Sequence, residues 1–207
     1  MLLDYSQTQK LLSKYNIPYI KSEIIRTESD LIKFSKKNKY PLVLKIDSKK
    51  ILHKTEIGGV ILDIKDKKTL LKSFKDIKKI SRKYKSNIII QKHINGINLI
   101  IGAKKDLTFG NIIIFGLGGI FTEVLNDTSM RLAPVNKQEI DSMIKEIKSY
   151  KILQGYRGKL VNIKKIQELI LNLSNLIEKE DIQEIDFNPV IVNNKEIFVT
   201  DAKIIQS

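Results

Sequence analysis

Three stretches of this sequence hold residue types that could handle phosphate. The first, Lys45 to Val60, begins at the end of the apolar run Pro41 to Ile46, carries His53, one of two histidines in the chain, and closes on Gly58-Gly59. A strand ending at Lys45, a loop bearing His53 and a Gly-Gly turn into a second strand, Val60 to Ile64, make a hairpin suited to an anion. Lysine supplies a compact point charge for phosphate oxygens. Glycine lets the backbone approach an anion closely and offers its N–H groups to it.

The second stretch is Asp186-Phe187-Asn188-Pro189, with Asp201 thirteen residues after Asn188. Residues two apart on a strand share a face, so Asp186 and Asn188 project together, and a returning hairpin strand would set Asp201 beside them. Two carboxylates and an amide oxygen form a partial all-oxygen shell of the kind that Mg²⁺ accepts. Aspartate within a strand otherwise works against β-propensity. The third stretch, Phe115 to Glu123, ends a strand in Gly116, Gly118 and Gly119 and is followed by Arg131. Three glycines there imply close backbone approach, and no helix follows, which argues against a Rossmann or Walker-type loop. Glu123 and Arg131 are candidate catalytic side chains beside it.

The elements that must position these residues fall into two groups. Leu2 to Tyr15 has the apolar spacing of an amphipathic helix, ended by Asn16 and Pro18. Tyr19 to Arg26 is β-like, Thr27 caps a helix through Lys39, and Leu42 to Ile64 reads as strand, loop and strand. Asp66 caps a helix from Lys67 to Tyr84, and Ile88 to Gln91 is a buried strand. That β-α-β-β-α-β order describes a small split sheet with two helices on one face. Beyond it, Leu99 to Ala103, Asn111 to Gly116, Ile120 to Leu125 and Ser129 to Pro134 are extended. Lys137 to Ser149 and Ile163 to Ile177 are helical, and Ile185 to Val192 and Ile197 to Ala202 close the chain as strands. The fold class is α+β, as two lobes meeting near residues 91 to 94: 1–92, with the leading helix and the His53 loop, and 93–207, with the strands that carry the metal set.

Composition removes several classes of function. The chain of 207 residues is 42% hydrophobic, enough to bury a substantial core. It has no cysteine, which excludes disulfides, thiolate metal sites and thiol nucleophiles. No apolar run approaches a membrane span, and the first residues lack a signal-peptide core, so a cytoplasmic protein without a membrane partner is expected. The net charge of +14 could mark a nucleic-acid binder, but only Arg26, Arg82, Arg131 and Arg157 are arginines among the 37 basic residues. Lysines spread along the chain without interleaved aromatics read as a composition-wide bias, so nucleic acid is not expected as the primary partner.

Taken together, the motifs resemble the ATP-grasp β subunit, or equivalent domain, of ADP-forming acyl-CoA synthetases of the acetate-CoA ligase type, within the succinyl-CoA synthetase superfamily. The resemblance covers nearly the whole chain. It runs through Leu11 to Pro18, Pro41 to Ile46, Ile51 to Val60, Phe115 to Phe121, Glu123 to Leu125, Arg131 to Pro134, Gly155 to Gly158, Asp186 to Val190 and Asp201-Ala202. It implies an ATP-grasp fold with ATP or ADP and Mg²⁺ in a cleft between two α+β lobes. Lys45 would contact nucleotide phosphates, Gln91, Lys92, His93 and Ile94 would form the adenine hinge, and Asn188 and Asp201, with Asp186 beside them, would bind the metal. His53 would carry a phosphoryl group to a CoA-binding α subunit, where acyl substrate and CoA react. Neutral imidazole is a competent nucleophile near neutral pH, and Gly58-Gly59 could act as the hinge of a moving loop. The sequence departs from the family pattern at Asn98, where an acid is frequent, at His93, where an apolar residue stands, and at Lys49-Lys50, where Pro-Asp is usual. A carboxylate-amine ligase that forms an acyl-phosphate directly, and a lysine-rich nucleic-acid-binding or regulatory module that retains the fold, are the alternatives.

Overall fold

The computed structural model describes residues 1–48, 51, 54–119, 126–155 and 160–207, which divide into two compact units. The smaller unit, residues 20–94, contains β1 (Ser22–Ile25), α1 (Glu28–Asn38), β2 (Leu42–Asp47), β3 (Val60–Ile64), α2 (Lys67–Tyr84) and β4 (Asn87–Lys92). Its four strands form an antiparallel sheet in the order β1-β4-β2-β3. Both helices start where a side chain can satisfy backbone donors that lack helical partners. Thr27 and Asp30 make a reciprocal capping box, and Asp66 accepts from the Thr69 N–H at 2.8 Å. Leu31 and Phe34 of α1 and Leu70, Phe74 and Ile77 of α2 pack on Leu42, Leu44, Ile46, Ile88 and Ile90. One face of the sheet is thus covered by helices, as the periodicity of α2 requires.

The larger unit, residues 1–19 with 95–207, adds α3 (Tyr5–Lys14), β5 (Ile97–Asp106), β6 (Gly110–Leu117), β7 (Thr128–Leu132), α4 (Lys137–Glu146), α5 (Tyr150–Leu153), α6 (Ile163–Lys179), β8 (Ile182–Val192), β9 (Ile197–Val199) and β10 (Ala202–Gln206). The antiparallel sheet runs β10-β8-β5-β6-β7, with β9 paired to the far end of β8. Leu12 of α3, Ile140, Met143 and Ile144 of α4 and Ile166, Leu169, Ile170 and Leu173 of α6 pack with Ile101, Ala103, Ile113, Phe115, Ile185 and Phe187 on one face. No helix among the described residues is long and apolar enough to cross a membrane.

Two expectations change here. The leading helix, expected with residues 1–92, belongs to the larger unit, whose second segment begins at Asn95. Leu12 and Ile17 are in its core, Leu3 N–H donates to Ile204 C=O at 3.0 Å, and Val199 N–H donates to Pro18 C=O at 2.8 Å. The closing strand, expected to run unbroken from Ile197 to Ala202, is two strands separated at Thr200 and Asp201. The extended segment from Ile120 to Leu125, and most of the Gly155 to Gly158 turn, lie outside the described residues.

Asp127 ties the start of β7 to the turn after α4. Its side chain is 4% exposed and accepts from the N–H groups of Lys148 at 2.7 Å and Ser149 at 2.8 Å. Burial pushes the carboxyl up, but the donors of Ser149 and Lys148 outweigh it and hold the group below the usual carboxylate range. A carboxyl whose folded-state pKa is depressed stabilises fully above its unfolded value, about 3.9 for aspartate, and that stabilisation is lost as pH falls through the lower folded value. Asp127→Asn is expected to destabilise the chain by about 1–3 kcal/mol near neutral pH. The gap from the unsubstituted chain should close toward pH ~3, as measured by urea unfolding at both pH values.

Gly102 sits opposite Asp186 in the β5–β8 ladder, where a Cβ would lie 2.7 Å from the carbonyl oxygen of Ile185. Glycine inside a strand marks such close approach of another backbone. Gly102→Ala should therefore push β5 from β8 and destabilise by about 1–3 kcal/mol, read as a melting temperature lower by several degrees. An unchanged melting temperature would show that the two strands part without cost.

Candidate functional site

Alternation along β2 decides where Lys45 points. Leu44 and Ile46 enter the core beneath α1 and α2, so Lys45 and Val43 take the opposite, helix-free face. Lys45 pairs with Ile89 on β4 and with Val60 on β3, and it is only 5% exposed. A lysine is almost never this buried without a partner for its charge. Gln91 lies on the same face opposite Val43, also 5% exposed, with its Oε1 3.2 Å from Ser22 Oγ. Sequence reasoning did not single out Ser22, whose only signal is its register opposite Gln91.

The segment after Gln91 leaves the sheet in a fixed way. Lys92 is exposed, Ile94 is buried, and the His93 N–H donates to Pro41 C=O at 3.0 Å. The His93 ring turns toward β3, with Nδ1 3.5 Å from Asp63 Oδ1 and no hydrogen bond to any described residue. Asp63 is itself claimed by Lys65, whose ammonium at 3.0 Å is the main reason its carboxyl lies below the usual range; His93 adds a smaller pull and burial opposes both.

Gly58 and Gly59 depart from the expected phosphate cradle. The Gly58 N–H donates to Thr55 C=O at 3.0 Å and the Gly59 N–H to Lys54 C=O at 2.7 Å, so both amides are engaged within the turn. Gly58 has φ +70°, and a Cβ on Gly59 would lie 2.8 Å from Lys54 O and 2.9 Å from the Ile46 side chain. Turn geometry and packing on β2 thus require these glycines. His53 and Glu123 lie outside the described residues.

In the larger unit, β8 carries the oxygen donors. Phe187 is fully buried among the helices, so its neighbour Asp186 points to the helix-free face, where Gly102 flanks it on one side and Lys203 on the other. Leu99 pairs with Val190 but Ile101 with Phe187, so β8 has one more residue than β5 across this step, a bulge at Asn188-Pro189. Proline has no N–H to give a ladder, and bulges bend a strand and re-aim its side chains. The partner edge breaks at the same place. The Asn188 N–H donates to Asp201 C=O at 3.1 Å, and Thr200 donates to Pro189 C=O from its N–H at 3.1 Å and its Oγ1 at 2.9 Å. Asn188 and Asp201 therefore sit directly across from one another, with Asp186 two residues before Asn188. Thr200 was missed in the sequence because its role depends on the break itself.

Hard oxygen donors of this kind fit a small divalent cation. The set is two carboxylates and one amide; among the described residues no three His, Cys, Asp or Glu side chains cluster. Arg131 is not part of it. It pairs with Ile113, on the helix side of the sheet, and its guanidinium donates to Glu146 at 2.6 Å and Ser142 at 3.2 Å on α4. Two of the third motif's glycines are likewise used internally, whereas a Cβ on Gly119, at φ +74°, would meet nothing within 4 Å. A Cβ on Gly116 would meet Asp127 O at 2.8 Å, and one on Gly118 would meet Asn98 at 3.2 Å.

A family model described as an ATP-grasp domain matches residues 1–205. The chain is 38% identical over 207 residues to subunit beta of acetate–CoA ligase [ADP-forming] I of Pyrococcus furiosus, covering 96% of this chain and 89% of that one. It is 37% identical over 205 residues to acetate–CoA ligase [ADP-forming] II of Archaeoglobus fulgidus, covering 99% of this chain but only 30% of that longer relative's length. Its structure is similar to that of acetyl-coenzyme A synthetase 1 of Ca. Korarchaeum cryptofilum bound to coenzyme A and Ca-AMPCP, with a TM-score of 0.91 and 36% identity over 100% of this chain and 93% of that one. The same synthetase with coenzyme A and Mg-AMPPCP, its phosphohistidine segment pointing towards the nucleotide binding site, gives a TM-score of 0.84 and 35% identity over 100% of this chain and 93% of that one. With two antiparallel sheets, each covered by helices on one face, and a match along almost its whole length, the chain belongs to the ATP-grasp domain family.

Proposed function

We propose that this chain is the nucleotide-binding β subunit of an ADP-forming acyl-CoA synthetase. The reaction is acyl-CoA + ADP + phosphate giving carboxylic acid + CoA + ATP, completed with a CoA-binding α subunit that holds the acyl substrate and CoA. The observation that carries the reading is the pairing of Asn188 with Asp201 beside Asp186, an all-oxygen set on the helix-free face of a β sheet. The likeness to subunit beta of the Pyrococcus furiosus ligase supports a partner that supplies the CoA-binding part.

In this proposal Asp186, Asn188 and Asp201 hold Mg²⁺, which when bound offsets charge on the nucleotide phosphates. Lys45 binds those phosphates from the helix-free face of its own sheet. The segment from Gln91 to Ile94 holds the base, with the His93 ring turned to Asp63 and the His93 N–H engaged by Pro41 C=O. His53 is the phosphoryl acceptor in the ATP-consuming direction. An imidazole nitrogen lone pair attacks the γ-phosphorus, the bond from that phosphorus to the bridging oxygen breaks, and ADP leaves with the electron pair. Phosphohistidine then gives its phosphoryl group to the α subunit and returns to neutral imidazole.

Two measurements check this. ATP labelled at the γ-phosphate should mark the αβ complex in the presence of Mg²⁺, and His53→Ala should abolish the label; equal labelling of that variant rejects the carrier role. Asp201→Ala should lower Mg²⁺-dependent ATP affinity by about 10–100-fold, the range typical for disturbed metal sites. Titration calorimetry with unchanged affinity would remove Asp201 from the metal set.

A further inference from the structure

The charge of the chain is not spread evenly over its two units. Residues 20–94 hold 21 of the 37 basic residues and 8 of the 23 acidic ones, a net +13, which leaves a net +1 for the 132 residues of the larger unit. Acidic residues occur at about one in nine in both units, so the difference lies in the bases alone. A composition-wide lysine bias would enrich both units alike, and this corrects that reading of the sequence.

Within the smaller unit the excess concentrates on the outer surface of the helices. Lys68, Lys72, Lys75, Lys79 and Arg82 follow a 4-3-4-3 spacing on α2, opposite the buried Leu70, Phe74 and Ile77, and all five are exposed. At about 1.5 Å per residue the stripe is roughly 21 Å long. Lys33, Lys36 and Lys37 of α1, packed on the same side of the sheet, are exposed as well. Acids on α2 do little to offset it, since its one acidic residue, Asp76, pairs with Lys79 at 3.4 Å on the surface.

We infer that this face binds the phosphate backbone of nucleic acid without regard to sequence, as an activity separate from the ligase site. Protein interfaces are built around apolar and aromatic anchors and are depleted in lysine. None of the exposed large hydrophobic residues is on α1 or α2. Flexible lysine point charges, with Arg82 the one arginine of the stripe, suit phosphates rather than base edges. The inference does not rest on the function proposed above.

The test is fluorescence anisotropy of the full chain with a random-sequence DNA duplex of about 30 base pairs over a salt series. Five phosphates neutralised correspond to a log–log slope of about −4.5, a loss of several hundred-fold in affinity between about 50 and 200 mM salt. Combined Lys68→Gln, Lys72→Gln, Lys75→Gln and Lys79→Gln should weaken binding at least 30-fold and flatten the slope by about 3.6 at an unchanged melting temperature. Combined Lys137→Gln, Lys148→Gln, Lys164→Gln and Lys195→Gln, exposed lysines of the larger unit, should alter neither quantity. Excess Mg-ATP should not displace the duplex. The inference is overturned by absence of binding at ~50 mM salt, by equal losses in the two variants, by displacement with Mg-ATP, or by α2-dependent binding to phosphatidylserine vesicles without binding to the duplex.

Discussion

The hydrogen bond from Asn188 N–H to Asp201 C=O is the contact on which the candidate site depends. Without it, the bulge at Asn188-Pro189 would leave the edge of β8 unpaired where β9 has ended and β10 has not begun. Thr200 closes the gap by donating twice to the Pro189 carbonyl, so backbone groups that a regular ladder would pair are paired here as well. The outcome is a local irregularity, bridged by these bonds, that turns Asn188 and Asp201 onto the side already chosen by Asp186. Gly102 allows β5 to lie close against that row. A carboxylate pair needs such support, because like charges brought together are tolerated only when geometry and a counter-charge hold them.

The same design recurs in the smaller unit with different chemistry. One face of each sheet is committed to helix packing, and strand alternation then delivers every second residue to the other face. Lys45 reaches that face because Leu44 and Ile46 are fixed in the core, and Asp186 because Ile185 and Phe187 are. Apolar residues thereby aim polar ones. A change that reversed the register of β2 or β8 by a single residue would exchange the two sets entirely.

Local signals made much of this legible. Thr27 and Asp66 announced the start of both helices of the smaller unit to the residue, because caps act within three positions. Alternation placed Asp186 and Asn188 together. What stayed hidden was long-range. The assignment of residues 1–19 depends on contacts with Val199, Ile204 and Ile205, nearly the full chain away. The split of the closing strand depends on a bulge in its partner. Gly58 and Gly59 were read as donors to an anion because a sequence shows that an N–H exists, not what accepts it; Thr55 and Lys54 do. Arg131 was grouped with the glycine-rich stretch by nearness in sequence, whereas its register with Ile113 sends it to Glu146 on α4.

The uneven charge bears on whether the two proposed anion sites of the smaller unit, at Lys45 and on α2, would influence one another. Lys45 is buried on the helix-free face of the sheet, and the α2 stripe lies on the outer side of the helical layer, so a sheet and a helix separate them. A helix alone is about 10–12 Å across with its side chains, more than the Debye length of about 8 Å at physiological salt. Exposed charges at that separation are largely screened from one another in solvent, and the buried ammonium answers to its immediate neighbours instead. A polyanion on α2 would then change the local field at Lys45 little.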